Sequence, residues 1–402
     1  MQLVEQHIIR SNEWGDWCVK AKELYNQTLY YWRQSMFKNI EYFTEYEILG
    51  LFREFDEPTF KALPSHCGQE VLINLFKNIK SWQKARKEYE NNPSKFLGRP
   101  KMPKYKKNMS ILGFNNGQIK LKNGFIHFPK IIGIKPMKTK IPNGSKLGSC
   151  RVIPKNDHFV VEFIYEVKEK ELRELNGNAI GIDLGLNNLA TIVSTTGYST
   201  IINGKPLKSM NQWYNKQTAY LKSKLPLINS KQRTSKRINK LTFNRNNKIK
   251  NYVHHSSKNI VKEAVENNIT KIIIGNNKHW KQEISLGKKN NQNFVSIPYE
   301  KLIEQIEYKA KLNGIKVEVV EESYTSKCSA LDLEPLSKHE KYVGKRVKRG
   351  LFRTAKNQYI NADANGSLNI IRKSISEFEI NDRIVRCVVQ PKKILHFKRN
   401  VL

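Results

Sequence analysis

Three consecutive apolar runs, NAIGIDLG (178–185), NLATIVST (188–195) and YSTIING (198–204), constrain this chain more than any other stretch. Each is short, rich in β-branched residues and bounded by Gly or Asn, so each reads as a buried strand. Long, very basic helices follow over 208–267, then a short buried strand, KIIIG (271–275). PYEKLIEQIEYKAKLNG (298–314) sets Leu302, Ile303, Ile306 and Ala310 on one helical face and closes on Gly314 as a C-cap. A strand, IKVEVVEE (315–322), and a last helix, DANGSLNIIRKSISEF (363–378), complete the region.

The order βββ–α–β–α–β–α is that of the RNase H-like fold, an α/β architecture whose first strand is central. Asp183 lies within that strand, where a buried carboxylate is costly unless paired or bound to metal. Its plainer reading is a structural Asp at the turn before Gly185. Asp363 opens the last helix, a place where Asp commonly serves as an N-cap. The fold nevertheless brings these two element ends together.

The first half reads differently. Residues 1–10 alternate apolar and polar and predict a strand. Over 13–94, Trp17, Ala21, Leu24, Tyr25, Leu29, Trp32 and Met36, then Val71, Leu72, Leu75, Ile79 and Trp82, recur at helical spacing. In KFLGRPKMPKYKK (95–107), Pro100 and Pro103 forbid a regular helix or central strand. Arg99, Lys101, Lys104 and Lys106, interleaved with Tyr105, suit an extended segment that follows a phosphate chain and stacks on bases; a solvated basic linker is the alternative. From 111 to 168 short strands punctuated by Gly and Asn predict a small antiparallel barrel or sheet. The N-terminal strand can join it, which makes the helices of 13–94 an insertion.

Charge narrows the partners. The 402 residues carry 71 Lys plus Arg against 36 Asp plus Glu, a net +35. AT-rich coding inflates Lys but does not account for a twofold imbalance, whereas binding polyphosphate does, through counterion release. No apolar run approaches the roughly 20 residues a spanning helix needs, and the N-terminus lacks a signal-peptide layout, so a cytoplasmic, nucleoid-associated prokaryotic protein with no membrane partner is expected. Cys18, Cys67, Cys150, Cys328 and Cys387 form no C-x-x-C pair, which predicts neither a disulfide framework nor a zinc site.

Seven stretches in order, FLGRPKMPKYKK, GIDLGLNNLAT, RNNKIKNYVHHSSKNIV, YKAKLNGIKV, ESYTSKCS, KRGLF and INADANGSLNI, resemble TnpB, the insertion-sequence-encoded RNA-guided nucleases related to type V CRISPR effectors. They span roughly residues 95–371. The resemblance implies a RuvC-type, RNase H-like nuclease domain preceded by an OB-like wedge β-barrel with an inserted helical recognition domain. On that plan the wedge occupies 1–12 and 95–175, the recognition helices 13–94, the nuclease 176–322 and 359–380, a target-binding insert 323–358, and a C-terminal tail 381–402. It also implies a guide RNA from the transposon end, a double-stranded DNA target beside a short motif, and cleavage of that DNA. A monomer is the expected form.

Asp183 and Asp363 fall on the first and last catalytic acids of the family. Two departures matter. The family's catalytic Glu usually ends the fourth strand, where this chain reads Ile274-Gly275-Asn276; Gly275 has no side chain to bind metal. The neighbouring strand, about 4.8 Å away, ends in Glu321-Glu322. Alternation lets only one of these face the site, with Glu322 preferred, Glu321 open and Glu283 a weaker candidate. Relatives also carry two C-x-x-C pairs where this chain keeps only Cys328, so no zinc is expected and His339 reads as a surface residue.

The implied chemistry is phosphodiester hydrolysis with two Mg²⁺ ions, Mn²⁺ being the second candidate, about 3.5–4 Å apart. Asp183 would bridge both ions, with Asp363 and Glu322 completing the shells. Lys236, Arg237, Arg245 and Lys248 on the basic helices, Tyr324, Thr325, Ser326 and Lys327 in the ESYTSK turn, and Arg346 and Arg349 in the insert are the further candidate nucleic-acid contacts. Residues 279–294 are read as a lid. A nuclease-inactive RNA-guided repressor and, less well supported, a transposase or resolvase on the same fold are the competing readings.

Overall fold

The computed structural model describes residues 1–38, 43–225, 234–276 and 297–395. The chain divides into two compact units, Met1–Lys168 and Glu169–Leu402.

In the first unit, β1 (Gln2–Ile9) turns every second side chain inward, as its alternating sequence requires. It pairs antiparallel with β7 (Phe159–Glu166), from Gln2 opposite Glu166 to Ile9 opposite Phe159. With β2 (Leu112–Phe114) and β6 (Leu147–Pro154) they form a sheet in the order β1-β7-β6-β2. A second sheet joins β3 (Lys120–Lys122), β4 (Phe125–His127) and β5 (Met137–Lys138). Four helices lie between β1 and β2 in the chain: α1 (Gly15–Phe37), α2 (Glu45–Glu54), α3 (Pro58–Lys61) and α4 (Ser65–Asn91). The helical periodicity of Leu24, Leu29 and Trp32 on α1 and of Leu72, Leu75 and Ile79 on α4 is what buries them. Trp32 meets Trp82 edge-on at 6.1 Å between ring centres.

The second unit is built on one six-stranded sheet, ordered β12-β11-β8-β9-β10-β16. Its strands β8 (Ala179–Leu184), β9 (Asn188–Ser194) and β10 (Ser199–Asn203) run antiparallel in sequence. The strand β11 (Lys271–Gly275) lies parallel to both β8 and β12 (Lys316–Val320). The first strand is therefore central, in the order read from the sequence. Alternation along β11 divides the core. Ile272 and Ile274 meet α6 (Lys236–Glu266) and α7 (Tyr299–Lys311), while Ile273 meets α8 (Ala362–Ser374). Helix α5 (Lys205–Ser223) packs against α6.

Residues 381–395 are not the expected tail. Asn381 caps α9 (Asp382–Val389), accepting at Oδ1 from the Ile384 amide at 3.1 Å. Ile384 and Val388, four apart and so on one face, join the core beside α8. The strand β16 (Lys392–Ile394) then extends the sheet, parallel to β10. The insert contributes a small antiparallel sheet of β13 (Lys345–Lys348), β14 (Leu351–Arg353) and β15 (Tyr359–Asn361).

One contact positions α8 on the sheet. Ser367 Oγ donates to the Gly181 carbonyl at 2.7 Å, and a methyl group on Gly181 would collide with the Ser367 carbonyl oxygen and stand 2.7 Å from Ile371 Cγ1. Gly181→Ala is expected to cost about 3 kcal/mol through overpacking against rigid backbone. The urea midpoint should fall at unchanged m-value; an unchanged midpoint would show that the helix can move aside.

Candidate carboxylate site

Asp183 sits one residue before the end of β8, opposite Thr191 on β9, and is half-buried. Helix α8 comes close enough that a Cβ on Gly366 would be 2.9 Å from Asp183 Oδ2. Burial pushes the Asp183 carboxyl well above the carboxylate range, and the charges of Glu322 and Asp363 push it further, against a smaller opposite pull from Arg346. Tyr299, the buried first residue of α7, belongs to the same neighbourhood. Its phenol is raised by burial and then by Asp183 and Glu322. Sequence reasoning passed over Tyr299; its only signal was an aromatic directly after Pro298 at a helix start.

Asp363 is the second residue of α8 and does not cap it. Asn361 does, its Oδ1 accepting from the amides of Asp363 at 3.0 Å and Ala364 at 3.1 Å. The Asp363 carboxylate is thereby left for other partners. Asn188 Nδ2 donates to Oδ2 at 2.7 Å, and Arg346 Nη2, on β13, donates to Oδ1 at 3.2 Å. Arg349 Nη2 reaches the Asn187 amide oxygen at 2.5 Å. Both insert arginines thus meet residues at the carboxylate end of β8 and β9. Among the described residues, no three Asp, Glu, His or Cys side chains stand close enough to share an ion.

The two glutamates after β12 part company. Glu321 is exposed; its carboxylate accepts from Ser323 Oγ and its carbonyl accepts from Lys373 Nζ at 2.9 Å. Glu322 is half-buried, and burial lifts its carboxyl to about 7, Lys373 opposing. The turn that carries it is held from below. Thr325 donates from its amide at 3.2 Å and its hydroxyl at 2.8 Å to the Glu322 carbonyl. Asn369 of α8 donates to the carbonyls of Thr325 at 2.9 Å and Cys328 at 2.7 Å. Thr325 is buried, so its hydroxyl shapes this turn and does not face a nucleic acid as expected.

Carboxylates tie the insert together. Buried Glu334 accepts from the Ser329 amide at 2.6 Å and from the Val343 amide at 2.9 Å. Asp332 Oδ2 accepts from Ser329 Oγ at 2.6 Å and the Ala355 amide at 2.7 Å. The buried Cys328 thiol donates to the Pro335 carbonyl at 3.3 Å. His339 is half-buried, its Nε2 2.8 Å from the Pro335 carbonyl oxygen.

The basic residues fall into three groups. Arg99, Lys101, Lys104 and Tyr105 are exposed in the irregular stretch of the first unit, and Lys106 is half-buried. That stretch is anchored: Asn26 exchanges two bonds with the Lys106 backbone at 2.8 and 2.9 Å, and Arg33 lies over the Tyr105 ring at 4.6 Å. It borders a groove of about 640 Å³ shared with Tyr25 and Trp82. On α6, Lys236, Arg237 and Lys248 are exposed. Arg245 is instead turned to α5, donating to Asn211 Oδ1 from Nε at 3.0 Å and Nη2 at 2.6 Å and covering Tyr214 at 5.3 Å. Tyr324, Ser326, Lys327, Arg346 and Arg349 are exposed in the second unit. Glu283 and the 279–294 segment lie outside the described residues.

Comparisons with known proteins match both halves of the second unit. A family model described as a probable transposase, OrfB_IS605, matches residues 162–281, and the Cas12f1-like TNB domain model matches residues 299–370. The TnpB-like protein ORF457 of Acidianus two-tailed virus is 27% identical over 226 residues, 52% of this chain and 45% of the relative. The chain is similar to TnpB-like proteins over part of its length. It also shares 27% identity over 238 residues with the CRISPR-associated endodeoxyribonuclease Cas12f2 of Micrarchaeota archaeon (strain CG1_02_47_40), covering 55% of the chain and 41% of Cas12f2. The matches thus span less than half the length of either curated relative. Among solved structures, the Cas12f1–sgRNA–target DNA complex aligns at TM-score 0.39 and 16% identity, covering 93% of this chain and 100% of that one. The mini-RNA-guided endonuclease CRISPR-Cas_phi3 aligns at TM-score 0.49 and 11% identity, covering 92% of each.

Two stability measurements test this geometry. With metal chelated, Glu322 keeps a proton in the folded state up to about pH 7 that the unfolded chain loses near 4.5. Its contribution is therefore full below the unfolded value and is lost as pH rises through about 7, amounting to roughly 3 kcal/mol. Glu322→Gln should melt above the parent at pH 8 and with it at pH 4.5; equal melting at both values would place Glu322 in solvent. Glu334→Ala should cost about 2 kcal/mol by stranding the buried Ser329 amide and freeing the partly buried Val343 amide, seen as a lower melting temperature and faster tryptic cleavage within 323–358.

Proposed function

We propose that this chain is an RNA-guided DNA endonuclease of the TnpB type, working from Asp183, Asp363 and a glutamate at the end of β12. The observation that carries the reading is the concentration of like charge around Asp183. A carboxyl raised by burial and by two further acids is uncomfortable without a cation, and a set of hard oxygen donors suits Mg²⁺ or Mn²⁺. Bound divalent ions would supply an activated water and stabilise the leaving oxygen.

The chain's own residues prepare that site. β8 and α8 hold Asp183 against Gly366, Asn188 orients Asp363, and Tyr299 helps wall off solvent. In this arrangement Asp363 is engaged with Arg346 at 3.2 Å. The OB-like wedge and helical recognition domain belong to the same proposal, as do a guide RNA and a DNA target read by pairing. The net charge of +35 supports such partners.

The test is plasmid cleavage by full-length protein co-expressed with the DNA immediately downstream of its gene, the co-purified RNA serving as guide. Asp183→Ala should abolish cutting in Mg²⁺ and leave RNA retention and target binding unchanged. Parent protein that binds a matched target and leaves it intact would identify a repressor instead. Cutting by Asp183→Ala would overturn the site.

A further inference from the structure

On the side of the sheet away from α8, helices α6 and α7 pack through Val253, Ile260, Leu302 and Ile306. Helical spacing sets Lys250, His254 and Lys258 on the flank of α6 beside that contact, and Lys301, Gln305 and Lys309 on the facing flank of α7. Side chains knit the seam between them. Lys309 Nζ donates to the His254 carbonyl at 3.0 Å and to Ser257 Oγ, and Ser257 Oγ donates to Gln305 Oε1 at 3.0 Å. The acids of both helices lie elsewhere. Glu263 is on the opposite flank of α6, bonded to Thr200 of β10, and Glu266 is paired with Lys262 at 3.4 Å. Glu300, Glu304 and Glu307 fall on the far flank of α7.

The seam therefore gathers charge of one sign. Lys309 and His254 are half-buried in it, with Lys250 and Lys258 exposed at its rim. Burial, and then Lys258, push the Lys309 ammonium down to about 8. Burial, and then Lys309, Lys250 and His255, push the His254 imidazole down to about 4. Among the described residues no carboxylate acts on either group. We infer that the α6–α7 seam is a phosphate-binding cleft, taking a phosphate monoester or diester between Lys309, His254, Lys250 and Lys258. An ammonium has three N–H donors. Lys309 places two of them on His254 and Ser257 and turns the third to the anion. Lys250 and Lys258 add charge from the rim, and His254 takes a proton from water as the anion arrives. A chain of net charge +35 meets such groups on nucleic-acid backbones and as free phosphate alike. The seam lies across the sheet from α8, so it stands or falls independently of the carboxylates proposed above.

The experiment follows the His254 ring by NMR in the full-length chain, freed of nucleic acid and labelled at histidine Cε1. Its resonance is the one that His254→Gln removes. At about pH 6 a histidine titrating near 4 is neutral. Inorganic phosphate, or an oligouridylate with hydroxyl ends, should move the resonance saturably toward its protonated position. Sodium chloride at equal ionic strength should leave it in place. Lys309→Gln and Lys258→Gln should each weaken the titration by about tenfold, the loss of one charge-assisted contact. Movement with phosphate alone identifies a free phosphate as ligand; movement with the oligouridylate alone identifies a backbone diester. Either result, if sensitive to Lys258→Gln, supports the cleft. A resonance that neither ligand moves, or that chloride moves as far, overturns it. So does parental affinity in Lys258→Gln, an exposed position whose change should leave the melting temperature unaltered. Weak binding by Lys309→Gln would not then rescue the cleft, because that variant also loses the tie between α7 and α6.

Discussion

The close approach of α8 to β8 organises the second unit of this molecule. Gly181 admits the helix backbone, and the Ser367 hydroxyl fastens it to the strand carbonyl. From that one contact the helix does three jobs. Its start presents Asp363, its Gly366 makes room for the Asp183 carboxylate, and its buried Asn365 and Asn369 hold the turn that follows Glu322. Three acids from distant parts of the chain owe their placement to one helix. A shift of that helix by a methyl group's width would disturb all three together, because packed interiors transmit strain and do not absorb it.

The charge distribution has the opposite sign inside and out. A strongly basic chain keeps an unneutralised acidic centre, whose principal opposing charges are Arg346 near Asp183 and Asp363, and Lys373 near Glu322. Such a centre disfavours the metal-free folded state, the trade expected where a site is kept ready for a cation. The insert avoids the same cost differently. Glu334 and Asp332 spend their oxygens on backbone amides and a hydroxyl, so the 323–358 loops are cross-linked by hydrogen bonds.

Much of this was legible beforehand because the second-unit strands are uninterrupted apolar runs bounded by Gly and Asn, and the sheet order follows from their succession. The candidate acids were legible because carboxylates at the ends of such runs are conspicuous. Other features left weaker traces. The strand β16 is Lys-Lys-Ile, polar because it lies at a sheet edge, and α9 shows its apolar face through only Ile384 and Val388. Arg245 reads as one more cation on a basic helix, and only the packing of α5 on α6 shows that Asn211 holds it. Thr325 looked like a surface hydroxyl because nothing local reveals that the turn folds under α8. The cap at α8 went to Asn361 and not Asp363, a distinction of two positions that sequence preferences alone do not make.

The ion pair between the insert and α8 has a thermodynamic corollary. On the function proposed above, Arg346 and a divalent ion would draw on the same Asp363 carboxylate. Whatever engages the Arg346 guanidinium elsewhere, a phosphodiester above all, must raise the affinity of Asp363 for a cation by the factor by which that cation, once seated, loosens the hairpin. Under the proposed function, substrate arrival and ion loading would then be two faces of one equilibrium, gated by a single arginine.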